Sequence, residues 1–480
     1  MYSVKKNFLY NAAYQILIML IPLVTIPYIS RVLGVEGVGV YSYAYSVAYY
    51  FVMFILLGLN NYGNRTIAAS KDNRYELSRN FSNIYITQLI LGIFIVFLYF
   101  GYCLFISDSR ITSLILGIYV ISGVFDVNWF FYGMEQFKLT VVRNSIVKLS
   151  SIIAIFIFVK SAKDVYIYCF IVSMSFFLSQ LLLWPFLVKL VDYVKPTLAE
   201  VKKHIKPNLM LFITVLAVSL FKVMDKIMLG IMSDYSQVGF YESSEKIINI
   251  PIAFVTALGT VMLPRMTNMV ANQQKGSAKV LRLSILFAMF LTSSMCFGIM
   301  GVADIFVPIF YGDGYDLCIS LFMIILPSCI FLAFANVIRT QFLLPHKMDS
   351  VYIISAFIGA GVNLILNILL IPHFAALGAA VGTLVAEVTV CFYQCFKCRK
   401  EIPIGRYALQ SFPLILSGAV MFAFLRFIRV PYVNDLVVLI VKVFLGAGIY
   451  FISLGLIIFV LRDQYKDLIV EVSKIYKHRK

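Results

Sequence analysis

The sequence predicts an all-α membrane protein of about fourteen transmembrane helices, in two pseudo-symmetric six-helix lobes with two further helices at the C-terminus. Three observations predict it. The 480 residues are 61% hydrophobic and 13% charged, with a mean hydropathy of +0.92, whereas a soluble domain carries roughly 25% charged residues. Apolar stretches of about twenty residues recur between short polar breaks, which is the length a helix needs to cross a bilayer. Short motifs from the first part of the chain return in order about two hundred residues later, as a duplicated bundle requires.

Taken in order, the breaks place spans at 8–29, 38–60, 81–106, 111–132, 141–160, 164–190, 208–231, 246–264, 283–303, 317–338, 350–371, 374–396, 407–428 and 436–461. The first apolar run leads straight into Ser30-Arg31-Val32-Leu33-Gly34 with no small-residue cleavage pattern, so it stays as span one rather than being removed as a signal. The formal charge of +17 invites a nucleic-acid reading, but the positions of the charges argue against one. The N-terminus with Lys5 and Lys6, the breaks at 65–79, 138–148, 189–206, 265–282, 339–347 and 397–406, and the tail from Arg462 all fall on one side. Roughly thirty of the basic residues lie there, and by the positive-inside rule that side, with both termini, is cytoplasmic. The opposite breaks are poor in base and partly acidic, with Asp234, Glu242, Glu245, Asp304, Asp313 and Asp316. The basic surplus is therefore mainly a topology signal and secondarily a surface for anionic lipid.

No break exceeds about twenty residues, so no soluble domain is expected. The connector at 189–206 divides an N-lobe, 1–195, from a C-lobe, 196–400, with spans thirteen and fourteen in 401–480. Val38-Gly39-Val40-Tyr41 follows span one and Val238-Gly239-Phe240-Tyr241 follows span seven. Arg65 and Arg265 end spans two and eight, and Leu33-Gly34 and Leu229-Gly230 precede the two glycine-tyrosine motifs. Six spans is an even number, so both copies insert the same way, as a parallel repeat. Two such bundles leave a mid-membrane cleft that rocking exposes to either side. A transporter is the expectation, with a scaffold or a membrane enzyme on a duplicated body as the alternatives.

Charges inside spans are costly and mark pathways by default. In span seven, Lys222, Asp225 and Lys226 share one face at spacings of three and four. One carboxylate neutralises one ammonium, leaving a net positive spot suited to an anionic group such as a phosphate; snorkelling of Lys226 to the interface is the plainer reading. Arg31 ends span one at the place Lys226 takes in the second copy, and is either a second cation across the cleft or an interfacial anchor. Arg65 and Arg265 are topology anchors or gate residues. Asp126, in span four, faces the cleft or caps a neighbouring helix. Glu387 in span twelve, with Asp225, is a candidate for ion coupling, and Asn363 and Asn367 are expected to bond within the bundle.

Catalytic equipment is not expected. There is no G-x-x-x-x-G-K-[ST] phosphate loop, no G-x-S-x-G and no His-Glu-x-x-His, and the four His residues are dispersed. The eight Cys residues are scattered through apolar helices, and Cys391, Cys395 and Cys398 read as a buried face rather than a metal site. No cofactor and no metal are expected.

A family resemblance rests on motifs in fixed order. They begin with Asn11-x-x-x-Gln15, Pro22, Pro27, Ser30-Arg31-Val32-Leu33-Gly34 and Gly37-Val38-Gly39-Val40-Tyr41. Asp126-x-Asn128-Trp129-x-Phe131-x-Gly133-x-Glu135 follows, then Asp225-Lys226 with Leu229-Gly230, Gly239-x-Tyr241-x-x-x-Glu245-Lys246 and Pro264-Arg265. Ile371-Pro372 and Leu377-Gly378-Ala379-Ala380-x-Gly382-Thr383-x-x-Ala386-Glu387 close the set. Over roughly residues 5–390 the chain resembles bacterial polysaccharide repeat-unit flippases of the multidrug/oligosaccharidyl-lipid/polysaccharide exporter superfamily. The resemblance implies movement of undecaprenyl-diphosphate-linked sugar units to the outer leaflet of the bacterial plasma membrane for O-antigen, capsule or exopolysaccharide. The charges inside and at the ends of spans make Arg31, Lys222, Asp225 and Lys226 the candidate substrate residues, and Arg65, Arg265, Asp126 and Glu135 the candidate gate residues. Lipid-linked oligosaccharide, membrane lipids and the polymerase and chain-length machinery are the implied partners, with no nucleic acid. The other readings are a small-molecule drug exporter of the same superfamily, a membrane polymerase or ligase on lipid-linked sugars, and an assembly scaffold. The first predicts an acidic cleft, the second a large catalytic loop, and the third no intramembrane charge.

Overall fold

A computed structural model describes residues 2–274, 276–428 and 434–460; side chains before residue 21 and those of Thr214, Val218, Phe221 and Lys222 lie outside the described set. So do the basic tail from Arg462 and the side chains of Lys5, Lys6, Asn11 and Gln15. The described residues contain no strand, and eleven helices are long and apolar enough to cross a membrane. The chain divides into two compact units, Met1–Glu242 and Ser243–Lys480.

The first unit holds α1 (Tyr2–Leu56), α2 (Leu59–Ser70), α3 (Arg74–Phe105), α4 (Arg110–Val124), α5 (Asn128–Gly133), α6 (Phe137–Phe158), α7 (Val165–Leu181), α8 (Trp184–Leu187) and α9 (Leu198–Met232). The first residues of α10 (Tyr235–Ala271) also belong to it. The second unit continues α10 and adds α11 (Ser277–Tyr311), α12 (Leu317–Ile325), α13 (Ser328–Ile338), α14 (Asp349–Cys398), α15 (Ile404–Phe427) and α16 (Asp435–Val460).

Polarity runs the opposite way to that of a soluble protein. On α3, Ser78, Asn83 and Gln88 are buried while Phe97 and Phe105 are 73% and 84% exposed. In the second unit Asn367, Gln341 and Ser293 are fully buried and Phe392 is exposed. Hydrocarbon cannot satisfy a polar group, so amides and hydroxyls turn inward and aromatic rings face the lipid.

Several expected spans join or break differently from their hydropathy. Spans one and two meet through the single non-helical residue Gly34 (φ 67°), a conformation that glycine adopts without steric cost. Spans eleven and twelve meet likewise at Ala375 (φ 47°). Span four, expected as one helix, is broken after Val124 and resumes at Asn128. Span ten is broken at Pro327 and ends in a π-helical turn, Arg339–Leu343. Hydropathy averaged over a span does not register these breaks, because each is only one to three residues long and lies within a strongly apolar run.

Candidate functional site

The two glycine-tyrosine motifs meet each other. A Cβ on Gly39 would lie 1.7 Å from the Tyr235 carbonyl oxygen, and one on Gly239 would lie 2.0 Å from the Val35 carbonyl oxygen. Only hydrogen fits at either position, so α1 and the start of α10 cross backbone to backbone, as small residues allow between membrane helices. The contact is reciprocal. Val35 and Tyr235, like Gly39 and Gly239, are two hundred residues apart, so each motif presents the same surface to the other, as in a two-fold interface. A further such pair, Ser42 and Glu242, is bonded directly, the hydroxyl donating to Glu242 Oε2 at 3.0 Å. Gly230 lets the Tyr43 ring lie where a Cβ would come within 2.1 Å of it.

Beside this crossing the polar residues of span seven are held. Lys226 Nζ donates to Glu242 Oε2 at 3.0 Å, with both side chains 14% exposed. The Tyr241 hydroxyl donates to Asp225 Oδ2 at 2.5 Å, and Asp225 is buried. Lys226 thus takes a carboxylate from the next helix, and Asp225 a phenol. The reason is helix extent. α10 begins at Tyr235, so Glu242, expected in a polar break, lies on a helix packed against α9. Glu242, Tyr241 and Ser42 are thus site residues that spacing along span seven could not supply; Ser42 and Glu242 lie just past the returning motif. The Lys222 backbone is helical, and its side chain lies outside the described set.

The other candidates are dispersed. Arg31 is exposed, three residues before the Gly34 turn. Aligning Leu33-Gly34 with Leu229-Gly230 places Ser30, not Arg31, opposite Lys226. Arg65 and Arg265 do not end their helices. α2 runs on to Ser70 and α10 to Ala271, leaving both arginines exposed within helices. Arg65 lines a cavity of about 570 Å³ with Tyr62, Asn80 and Pro207. Nearby, Glu200 of α9 accepts from Arg79 and Asn83 of α3, and the Tyr62 hydroxyl bonds His204 Nδ1 at 2.7 Å.

Asp126 lies in the break in span four. Its Oδ1 accepts from the backbone N–H and side-chain amide of Asn128, both at 2.8 Å, a local turn leading into α5. Behind it the Trp129 indole donates to Gln88, whose own amide donates to the carbonyls of Gly123 and Asp126. Gly63 and Gly133 bring α2 against α5, where Cβ atoms would strike Trp129 and Ile67. The Asp126–Glu135 motif is a packed joint. Glu135 lies at its surface, 3.0 Å from Lys71. In the second unit, Glu387 is buried on α14, within electrostatic reach of Cys329 and Cys391. Asn367 donates to Asn363 at 3.2 Å.

Comparison with known proteins gives this geometry a family. The "Putative O-antigen transporter" of Escherichia coli (strain K12) is 25% identical over 395 residues, covering 81% of this chain and 95% of that protein. The "Probable low-salt glycan biosynthesis flippase Agl15" of Haloferax volcanii is 29% identical over 235 residues, 47% of this chain and 48% of that protein. Among solved structures, the lipid II flippase MurJ in an inward closed conformation superposes with a TM-score of 0.66 at 16% identity, covering 94% of this chain and 100% of that one. This chain shares that fold. Residues 4–270, more than half of the sequence, match the family described as polysaccharide biosynthesis protein, and the chain belongs to that family.

Proposed function

We propose that this protein is a flippase, not an enzyme, that carries undecaprenyl-diphosphate-linked oligosaccharide repeat units from the inner to the outer leaflet of the bacterial plasma membrane. The observation that carries the reading is a relative named as an O-antigen transporter, matched over 95% of its own length. Alternating access between lobes 1–195 and 196–400 is the mechanism we infer, and the reciprocal crossing at Gly39 and Gly239 supports it. In this reading both termini are cytoplasmic, and α1 and α10 cross at the outer end of the path. Lys226 exchanges Glu242 for a substrate phosphate as the crossing opens, with Lys222 and Arg31 as further cations. Asp225 and Glu387 are the carboxylates available for ion coupling, and Arg65 and Arg265 border the inner opening. Polymerase and chain-length proteins then receive the product.

A second reading is favoured by one observation. Glu242 holds Lys226 as an ion pair and Asp225 is buried on the same helix, so two carboxylates accompany the cation in the manner an exporter of small cations would need. The leaflet accessibility of lipid-linked oligosaccharide, with and without the gene, separates the two. Accumulation on the cytoplasmic side in its absence supports the flippase. An unchanged glycolipid distribution rejects it in favour of the exporter, and normal outer-leaflet delivery without polymerisation points to a polymerase.

A further inference from the structure

Within the first unit, α1, α6 and α7 line a half-open cavity of about 360 Å³, inside the range of roughly 300–1,000 Å³ usual for small-ligand sites. One buried cation sets the polarity of its wall. Arg143 is 6% exposed and donates to the Ser179 carbonyl at 2.6 Å, to Asn128 Oδ1 at 2.8 Å and to Asn144 Oδ1 at 2.6 Å. A guanidinium has only donors, so both amides must turn their oxygens to it and their nitrogens away. Asn128 then spends its nitrogen on Asp126 and on Gln180 Oε1, the latter at 3.0 Å, which turns the Gln180 nitrogen outward in the same way. Among the described residues, the nitrogens of Asn144 and Gln180 and the Tyr168 hydroxyl meet no acceptor, and all three residues line the cavity.

The same wall carries Lys148, in the interior of α6, half-buried. Among the described residues no carboxylate and no hydrogen bond takes its ammonium. Asp126 lies within the electrostatic reach of Arg143 and offsets that charge, and Glu242, whose field reaches Tyr168, is paired with Lys226. Among the described residues Lys148 is therefore the uncompensated charge of a donor-lined cavity in a membrane bundle, where such a group is costly without a partner. The rings of Tyr168 and Phe176 add the flat apolar surface on which a sugar ring can lie.

We propose that this cavity is a binding site for an oxyanion, and that the oxyanion is the carboxylate of an acidic sugar in the transported glycan. The Lys148 ammonium and the amide nitrogens of Asn144 and Gln180 hold the anion, while Tyr168 and Phe176 hold the ring. The site deepens the flippase reading and rests on it for the identity of the cargo. A lipid phosphate would present the same charge, and the test distinguishes the two.

Purified full-length protein in nanodiscs is titrated calorimetrically with methyl β-D-glucuronide, methyl β-D-glucoside and glycerol 1-phosphate. The glucuronide is expected to bind ~10-fold or more tightly than the glucoside, because only it makes a charge-assisted contact. Lys148→Met should bring the two sugars level, and Lys148→Arg should restore the preference. Equal binding of both sugars to the wild type overturns the proposal without reference to any variant, and so does an undiminished preference in a folded Lys148→Met protein. Tighter binding of glycerol 1-phosphate, displacing the glucuronide, reassigns the oxyanion to a lipid phosphate and overturns the sugar assignment. Binding of the free glycoside needs no transport, so glucuronide selectivity with an unchanged glycolipid leaflet distribution would leave the site standing and reject the flippase.

Discussion

Replacing Gly39 by Ala tests the crossing of α1 and α10 with a single methyl group. The added Cβ would sit 1.7 Å from the Tyr235 carbonyl oxygen, half the 3.4 Å at which ordinary van der Waals contact begins. The obstacle is backbone on a helix and cannot rotate away, so the helices must part by about 1.5 Å. Ser42, one turn further along α1, would be carried with it, and its 3.0 Å bond to Glu242 would open beyond hydrogen-bonding range. Overpacking costs about 1–3 kcal/mol, and a lost interhelical hydrogen bond in a membrane adds about 0.6 and at most about 1.7 kcal/mol. A penalty of about 2–4 kcal/mol shifts the ratio of crossed to separated forms by ~30-fold or more. Spin labels at the exposed positions Glu36 and Ser233 read the change as a second, longer distance population in electron–electron resonance. Gly239→Ala should reproduce it, since its Cβ meets the Val35 carbonyl oxygen at 2.0 Å. Gly101→Ala, with nothing within 4 Å, should leave the distances unchanged. Wild-type distance distributions in both Gly39→Ala and Gly239→Ala would refute the crossing.

Further predictions concern the charges and the joint in span four. Lys222→Ala combined with Lys226→Ala should leave the protein inserted but abolish transport; normal surface polysaccharide at wild-type protein level would remove Lys226 from the substrate path. In a double-mutant cycle on unfolding, Lys226→Met and Glu242→Gln should couple by about 1–3 kcal/mol, and additive effects would mean the 3.0 Å pair contributes nothing. Trp129→Phe removes the 3.1 Å bond to Gln88 and should cost about 1 kcal/mol of thermal stability, with no change in insertion. The Asp192 carboxyl, in the connector before α9, is held below the usual carboxylate range by its hydrogen bonds from Arg74. Because that value is depressed on folding, the tie is present above the ordinary carboxylate range and is lost as pH falls through the lowered value. Hydrogen exchange of residues 189–197 in Asp192→Asn should therefore exceed wild type at pH 7 and match it at strongly acid pH; equal exchange at pH 7 would dismiss the tie.

How far the candidate site could be read from the sequence differs residue by residue. The return of Val38-Gly39-Val40-Tyr41 at Val238 marks a contact surface, because a duplicated surface facing its copy must satisfy the same steric demand twice. The partners of Lys226 and Asp225 were beyond reach. Spacing rules connect residues three and four apart on one helix, whereas Glu242 and Tyr241 come from the next helix, 16 residues on in each case. Asp126 reads from the sequence as a cleft residue or a helix cap, and only the structure shows the break in span four in which it bonds Asn128. Lys148 passed as one more cytoplasmic base, and only the packing of α1, α6 and α7 turns it onto a cavity.

The sequence by itself determined that the chain is helical, lies in a membrane and repeats. Composition decides which solvent a helix can tolerate, and a bilayer admits little else than helices to a chain this apolar. The tertiary structure alone decided which polar groups meet. Inward-turned polar groups say which face is buried but not which groups will meet, so partners are fixed by close approach at Gly39, Gly63 and Gly239 and by the donor-only geometry of Arg143.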